Sequence, residues 1–396
     1  MSKISRYTMF ALLYFAQGAI LSYFTALNSL YLLTFDLSMS QIGLVGAIGL
    51  IPFVLKIFLG MLSDRLNLAG WGHRKPYILI GLLVQSVCLL IVPQINPSTQ
   101  YGLYALLAFL LMTGMALYDT CTDGYALDTT PSEEQGTIQG FMVGGRAVGV
   151  VAISALLGVL VENWGWPVAF YSLAVLSLVP LPLVWQIREF PRKEEQQFTW
   201  SAFKAFTHIS VISLAVLGAL YSLIINGANQ LVNPFLQSRF GISYSTAGFI
   251  TTIWGIGVVL GSLAGGRLTD RWGKRQSVIR AMFLSLAAIF LLAFTGAAWM
   301  VWPLVALFGL AFGFYETVYF AVSMNKTDPR IAASMFSILM AVANIGTGVG
   351  LALSGSMTDA LGFGNTFIIL AVLNLLALPL VGLIFPKRRT ALTPVS

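Results

Sequence analysis

The chain has 396 residues, of which 57% are hydrophobic and 9% charged, with a formal net charge of +7. Soluble proteins carry about 25% charged residues, so this composition excludes an ordinary water-soluble fold. The positive charge sits in alternate inter-span segments, so it reads as a topology signal and not as a nucleic-acid surface.

Long apolar runs recur, each near the ~20 residues that cross a bilayer as helix. The first half places spans at 8–33, 40–62, 77–93, 101–127, 137–161 and 167–187. The second half places them at 208–234, 244–265, 278–296, 301–325, 332–357 and 365–385. The first run is too long for a signal peptide and lacks a small-residue cleavage site, so it is expected to remain as a helix. With the N-terminus inside, all but three of the 22 Lys and Arg fall on the cytoplasmic side, among them Lys3, Arg6, Arg74, Lys75, Arg192 and Lys387 to Arg389. Arg239 falls outside, and Lys56 and Arg146 fall within spans. This bias predicts a multi-pass protein of the cell (inner) membrane with both termini in the cytoplasm. Cys88 and Cys121 lie in spans, away from His73 and His208, and read as apolar filler. No metal site and no cofactor are expected.

The two halves repeat. Tyr118-Asp119 and Tyr315-Glu316 lie half a chain apart, both in apolar surroundings. Asn28-x6-Phe35 and Ser38-x-Ser40-x2-Gly43 return as Asn233-x6-Phe240 and Ser243-x-Ser245-x2-Gly248. Gly158-x3-Glu162-x2-Gly165-Trp166-x3-Phe170 returns as Gly355-x3-Asp359-x2-Gly362-Phe363-x3-Phe367. Gly60-x3-Asp64-Arg65 returns as Gly266-x3-Asp270-Arg271. The expected fold is all-α and integral to the membrane: twelve transmembrane helices in two six-helix bundles related by a pseudo-two-fold axis along the membrane normal. The expected domains are 1–188, a charged cytoplasmic linker at 189–207, and 208–396.

Gly266-Arg-Leu-Thr-Asp270-Arg271-Trp-Gly273-Lys274-Arg275 resembles the G-x-x-x-D-R-x-G-R/K-R/K loop signature of the major facilitator superfamily. Its first-half copy departs from the pattern, with Leu66 to Trp71 inserted before Gly72-His73-Arg74-Lys75. The resemblance implies a transporter whose gating loops include Gly60, Asp64, Arg65, Gly266, Asp270, Arg271, Gly273, Lys274 and Arg275. Physically, glycines allow close helix contact, and the charges can latch helix ends on the cytoplasmic side. Retention of the positive charges for topology alone is the plainer alternative. Asp119-x3-Asp123-Gly124-Tyr125-Ala126 resembles the D-x3-D-[AG]-[WY] stretch of the branch with muropeptide permeases and acetyl-CoA transporters. Gly145-Arg146-x2-Gly149 is similar to a stretch of the same group. Folate–biopterin and some siderophore transporters have similar text. The loop Pro131 to Gly136 departs from the permeases, with Gln135 where they usually carry Arg.

An ionisable residue inside a span costs roughly 2.5–3.5 kcal/mol on insertion scales and marks a functional site by default. Asp119 and Asp123 share a helix face at i, i+4. Asp119 lies about 13 Å in from Asp128, Arg146 about 15 Å in from Gly136, and Lys56 about 12 Å in from Asp64. The matched depth predicts an Asp119–Arg146 pair and a substrate-anion or proton site; a structural ion cluster is the alternative. Glu316 has no basic residue at its depth in its own half, where Ala343 matches Arg146. An acid without a counter-ion in a low-dielectric site is suited to taking and releasing a proton.

Asn226, Asn229, Gln230 and Asn233 form one polar stripe on span 7, with a weaker one on span 1 from Tyr14, Gln17 and Asn28. Such amides line a cavity or glue helices together. Glu316, Asp119 and Asp123 are therefore expected in proton coupling. Arg146, Lys56, Tyr118, Tyr315, Gln17, Asn28, Asn226, Asn229, Gln230 and Asn233 are expected to bind substrate.

No phosphate loop and no catalytic motif occur, so neither ATP hydrolysis nor enzyme chemistry is expected. The reading is a secondary active transporter of a small polar, anionic or amphipathic solute, working by alternating access with proton symport. A proton-antiport exporter of amphipathic compounds and an assembly factor without flux are the alternatives. The expected partners are a small-molecule substrate, a co-transported proton and the lipid bilayer, with no nucleic acid and a monomeric chain.

Overall fold

The computed structural model describes residues 3–129, 135–187, 207–326 and 332–386. Among them every regular element is a helix. In lipid only a helix or a closed barrel satisfies all backbone donors and acceptors internally. Ten helices are long and apolar enough to cross a membrane.

Two local breaks reconcile these ten with the twelve expected spans. The second span is divided at Leu55 into α3 (Met39–Val54), which contains Pro52, and α4 (Lys56–Arg65). The last pair runs through α14 (Ala332–Leu373), which contains Gly362 in a non-helical conformation with φ 80°. The Thr358 and Thr366 hydroxyls lie 3.4 Å apart across it. A straight helix would separate residues eight apart by roughly 12 Å, so the chain folds back at Gly362. Gly165, with φ 83°, makes the matching break between α7 (Gln135–Trp164) and α8 (Trp166–Leu178).

The other elements follow the expected spans. They are α1 (Lys3–Ala26) and α2 (Asn28–Leu33), α5 (Lys75–Ile91), α6 (Tyr101–Thr129), α9 (Leu181–Trp185), α10 (Ile209–Phe240), α11 (Tyr244–Trp272), α12 (Lys274–Ala293), α13 (Val301–Lys326) and α15 (Ala377–Ile384). The signature stretches expected as loops are largely helical: Gly60 to Arg65 belongs to α4 and Gly266 to Trp272 to α11. Only Gly273, at φ 77°, leaves the helix there. The linker at 189–207, apart from Thr207, lies outside the described residues. So do Pro131 to Glu134 and the side chains of Asp64, Arg65, Asp128, Gln135, Gly136 and Asp270.

Within the first half, Trp166 and Phe170 pack on Tyr31, with ring centroids 4.9 and 5.0 Å apart. In the second, Phe363 and Phe367 pack on Phe235 at 5.9 and 5.5 Å. Aromatic pairs of this geometry add to the burial of their area, and the repeated sequence here encodes one repeated core.

The halves meet through α3 on α14 and α7 on α11. Among the described residues, the hydrogen bonds between halves run from the end opposite the termini down to Asn344 Nδ2, which donates to Phe53 O at 3.5 Å. That contact lies roughly 21 Å along α3 from Met39. They include Asn233 Nδ2 to Ala26 O at 2.7 Å and Thr252 Oγ1 to Val151 O at 2.7 Å. The halves are therefore bonded together at the end away from the termini, where these hydrogen bonds among the described residues lie.

Candidate functional site

Lys56 is the first residue of α4, just past the break at Leu55. Its ammonium lies between two carboxylates of α6, 2.5 Å from Asp119 Oδ2 and 3.4 Å from Asp123 Oδ2. From α1, Gln17 Nε2 donates to Asp119 Oδ1 at 3.1 Å, and the Tyr14 hydroxyl donates to Asp123 Oδ1. The i, i+4 spacing of the two aspartates makes this possible, since both then face α1 and α4. Three helices are tied by one cluster. Its two acids differ in access: the Asp119 side chain is 7% exposed and the Asp123 side chain 39%.

The expected Asp119–Arg146 pair is not formed. Lys56 is the partner of Asp119, because the broken second span carries its ammonium directly onto α6. Matched depth along two helices does not set rotation about their axes, and Arg146 is turned elsewhere. On α7, Gly145 and Gly149 press against the carbonyls of Ala11 and Phe15 on α1, while Val151 and Ser154 face α11. Arg146 lies on the arc between these contacts, in register with Ile153 and Leu157. Those two are 5% and 0% exposed, yet Arg146 is exposed. Arg146 thus faces the space between the halves, below the level at which they close.

Among the described residues Arg146 makes no hydrogen bond or ion pair, but its charge acts on Tyr14 and on Glu316. Glu316, half-buried on α13, therefore does have a cation within electrostatic reach. It comes from the other half of the chain, outside the repeat that carries Glu316.

Tyr118 and Tyr315 are each 1% exposed and belong to the bundle interiors. Tyr118 packs over Gly81 and Tyr315 against Tyr221, so neither is placed to touch a solute. The span-7 amides are mostly engaged between helices. Asn226 donates to Thr347, Gln230 to Leu351 O at 3.0 Å, and Asn233 to Ala26 O and Thr251. Asn28, 5% exposed, accepts from the Tyr104 hydroxyl. Asn229 is half-buried and makes no hydrogen bond among the described residues. Gluing predicts a modest cost: Gln230→Leu should lose about 0.6 kcal/mol of stability, the mean for interhelical bonds in a membrane, with uptake retained. Uptake lost at unchanged thermal stability would instead place Gln230 against the solute.

Among the described residues, Gly60, Gly266, Arg271, Gly273, Lys274 and Arg275 make no bond to the opposite half in this state. An apolar groove of about 520 Å³ between α1 and α7 is lined by residues such as Leu12, Phe15 and Phe141. It lies on the arc of α7 away from Arg146 and takes no part in the charged site.

Comparison with known proteins gives a consistent result. The family model described as Major Facilitator Superfamily matches residues 10–231 and 214–395. The anhydromuropeptide permease of Escherichia coli K12 is 23% identical over 384 residues, covering 93% of this chain and 77% of the permease. The cis,cis-muconate transport protein of Acinetobacter baylyi is 25% identical over 373 residues, covering 90% of this chain and 87% of its own length. Among solved structures, a bacterial homologue of the human lysosomal transporter Spinster, crystallised inward-facing and unoccupied, superposes with a TM-score of 0.81 at 19% identity. It covers 97% of this chain and 98% of that one. The Spinster homologue shares the fold, the two transport proteins share sequence along nearly the whole chain, and the family model matches both halves: this integral membrane protein belongs to the major facilitator superfamily.

Proposed function

We propose that the chain is a proton-coupled symporter of a small polar solute that carries an anionic group. Arg146 carries this reading. An exposed guanidinium within a membrane span, with no bonded partner among the described residues, requires a counter-charge. Glu316 supplies one when ionised. When Glu316 holds a proton, the anionic group of a solute takes that role. Binding of proton and anion are then linked, each favouring the other.

Lys56 and Arg146 face Asp119, Asp123 and Glu316, and a proton taken up together with one anionic group leaves the net charge of the site unchanged, so loading adds no charge that must move between bundles. Asn229, half-buried on α10, offers a neutral contact. The muconate transport protein is named for an organic anion, in keeping with this solute class. With the termini in the cytoplasm, the end at which the described inter-half hydrogen bonds lie faces outward.

Uptake of labelled organic acids into energised vesicles, with and without an uncoupler, tests the reading. Accumulation should collapse with the uncoupler. Arg146→Gln should lower uptake by roughly ten- to a hundredfold, the value of a hydrogen bond to a charged group. Full uptake by Arg146→Gln, or uptake indifferent to the uncoupler, would overturn it.

A further inference from the structure

At the end where the halves meet, helices α3 and α11 begin in equivalent ways. Each has a serine N-cap, Ser38 or Ser243, whose hydroxyl accepts from the third backbone N–H of its helix, Gln41 or Thr246. Neither helix has an acidic residue in its first turn. The first N–H groups of a helix lack internal partners and carry its positive dipole end. In both cases the missing acid comes from the opposite half. Asp359 accepts from Met39 N at 2.9 Å, from Ser40 N at 2.7 Å and from the Ser40 hydroxyl. Glu162 accepts from Ser245 N at 2.9 Å.

Glycines bring the backbones close enough for this. A β-carbon at Gly355 would lie 2.1 Å from Met39 O, and one at Gly158 would lie 2.4 Å from Tyr244 O. One turn into the helices the contact is repeated in reverse. A β-carbon at Gly43 would lie 2.2 Å from Leu351 O, and one at Gly248 would lie 2.4 Å from Ser154 O. The repeated Gly-x3-acid and Ser-x-Ser-x2-Gly motifs are thus the two faces of one joint, docked reciprocally across the pseudo-two-fold axis.

We infer that Asp359 and Glu162 are positioning residues of transport, a paired latch that holds this end shut by capping the helices of the opposite half. Opening this end withdraws both caps and leaves Met39, Ser40 and Ser245 without their partners. The two carboxylates therefore set the balance between the state closed here and the state open here. The inference rests on alternating access and not on the solute or the coupling ion, and its test needs neither.

Nitroxide labels on cysteines placed at Gln100 and Ala298, one exposed position in the connection between two long helices of each half, report the separation at this end. The native Cys88 and Cys121 are buried and leave the labels specific. Without solute or gradient, the unmodified pair should give mainly the short distance. Asp359→Ala and Glu162→Ala should each raise the ratio of long to short populations by roughly two- to fivefold, the usual value of an acid at a helix N-terminus. The double variant should raise it by about the product. Asp359→Glu, which retains the acceptor, should return the distribution toward the short distance. An unchanged distribution in the double alanine variant, eluting as one species, would overturn the inference. If that variant does not fold, Asp359→Asn with Glu162→Gln in the same measurement decides by the same criterion.

Discussion

Lys56→Met is expected to destabilise the folded protein by about 3 kcal/mol and to abolish transport. The ammonium holds Asp119 at 2.5 Å and Asp123 at 3.4 Å. Its loss leaves Asp119, 5% exposed, as a carboxylate whose nearest remaining donor is the Gln17 amide. Breaking a buried pair by removing one partner typically costs 3–5 kcal/mol, whereas removing both is far milder. The lower end applies here because the lysine side chain is 32% exposed. Lys56→Met combined with Asp119→Asn should therefore recover most of the lost stability. Thermal unfolding of the purified single and double variants in detergent checks this. A double variant no more stable than Lys56→Met would show that the pair does not govern the cluster. Transport should stay absent in the double variant, since the charge balance at Asp123 is altered in either case.

Glu316→Gln is expected to separate exchange from accumulation. Glutamine keeps the shape of the acid and part of its hydrogen bonding, but it neither binds nor releases a proton. Arg146 is then permanently free for the solute, as it is when Glu316 is protonated. Downhill exchange of labelled for unlabelled solute should continue, with apparent affinity unchanged or improved. Uphill accumulation driven by a pH gradient should fall to the background of empty vesicles. Both quantities are measurable on one vesicle preparation. Full gradient-driven accumulation by Glu316→Gln would remove Glu316 from the coupling path. Asp123, the more accessible acid of the Lys56 cluster, would then take its place.

The site shows which inferences a linear sequence supports. Depth is one-dimensional: at about 1.5 Å per residue, counting from the charged ends of spans put Lys56, Asp119, Asp123 and Arg146 at one level. Lys56, Asp119 and Asp123 do meet. Partner choice depends on rotation about each helix axis and on breaks in it. Pro52 was visible in the sequence as a helix-disrupting residue, but the break at Leu55 and the direction it gives Lys56 were not. The spacing of Gly145 and Gly149 was equally visible. That these glycines turn toward α1, leaving Arg146 on the open arc, depends on which neighbour α7 packs against.

The span-7 amides make the same point. Their shared face was legible from the 3.6-residue period. Whether that face met a cavity or another helix was not, because the period states that a face exists and not what covers it. Tyr118 and Tyr315 repeat between halves because each fills a bundle core, and a packing role repeats as readily as a functional one.

The sequence by itself determined that this is a helical membrane protein, how many times it crosses, that its halves are copies, and which few polar groups lie at depth. Those properties follow from composition, length and periodicity, which are local or additive along the chain. Only the tertiary structure decided that Lys56 and not Arg146 neutralises Asp119, and that Asp359 and Glu162 cap helices of the opposite half. Each of these is a contact between segments remote in sequence. Its geometry is set by helix rotation and close backbone packing, which no property of either segment alone contains.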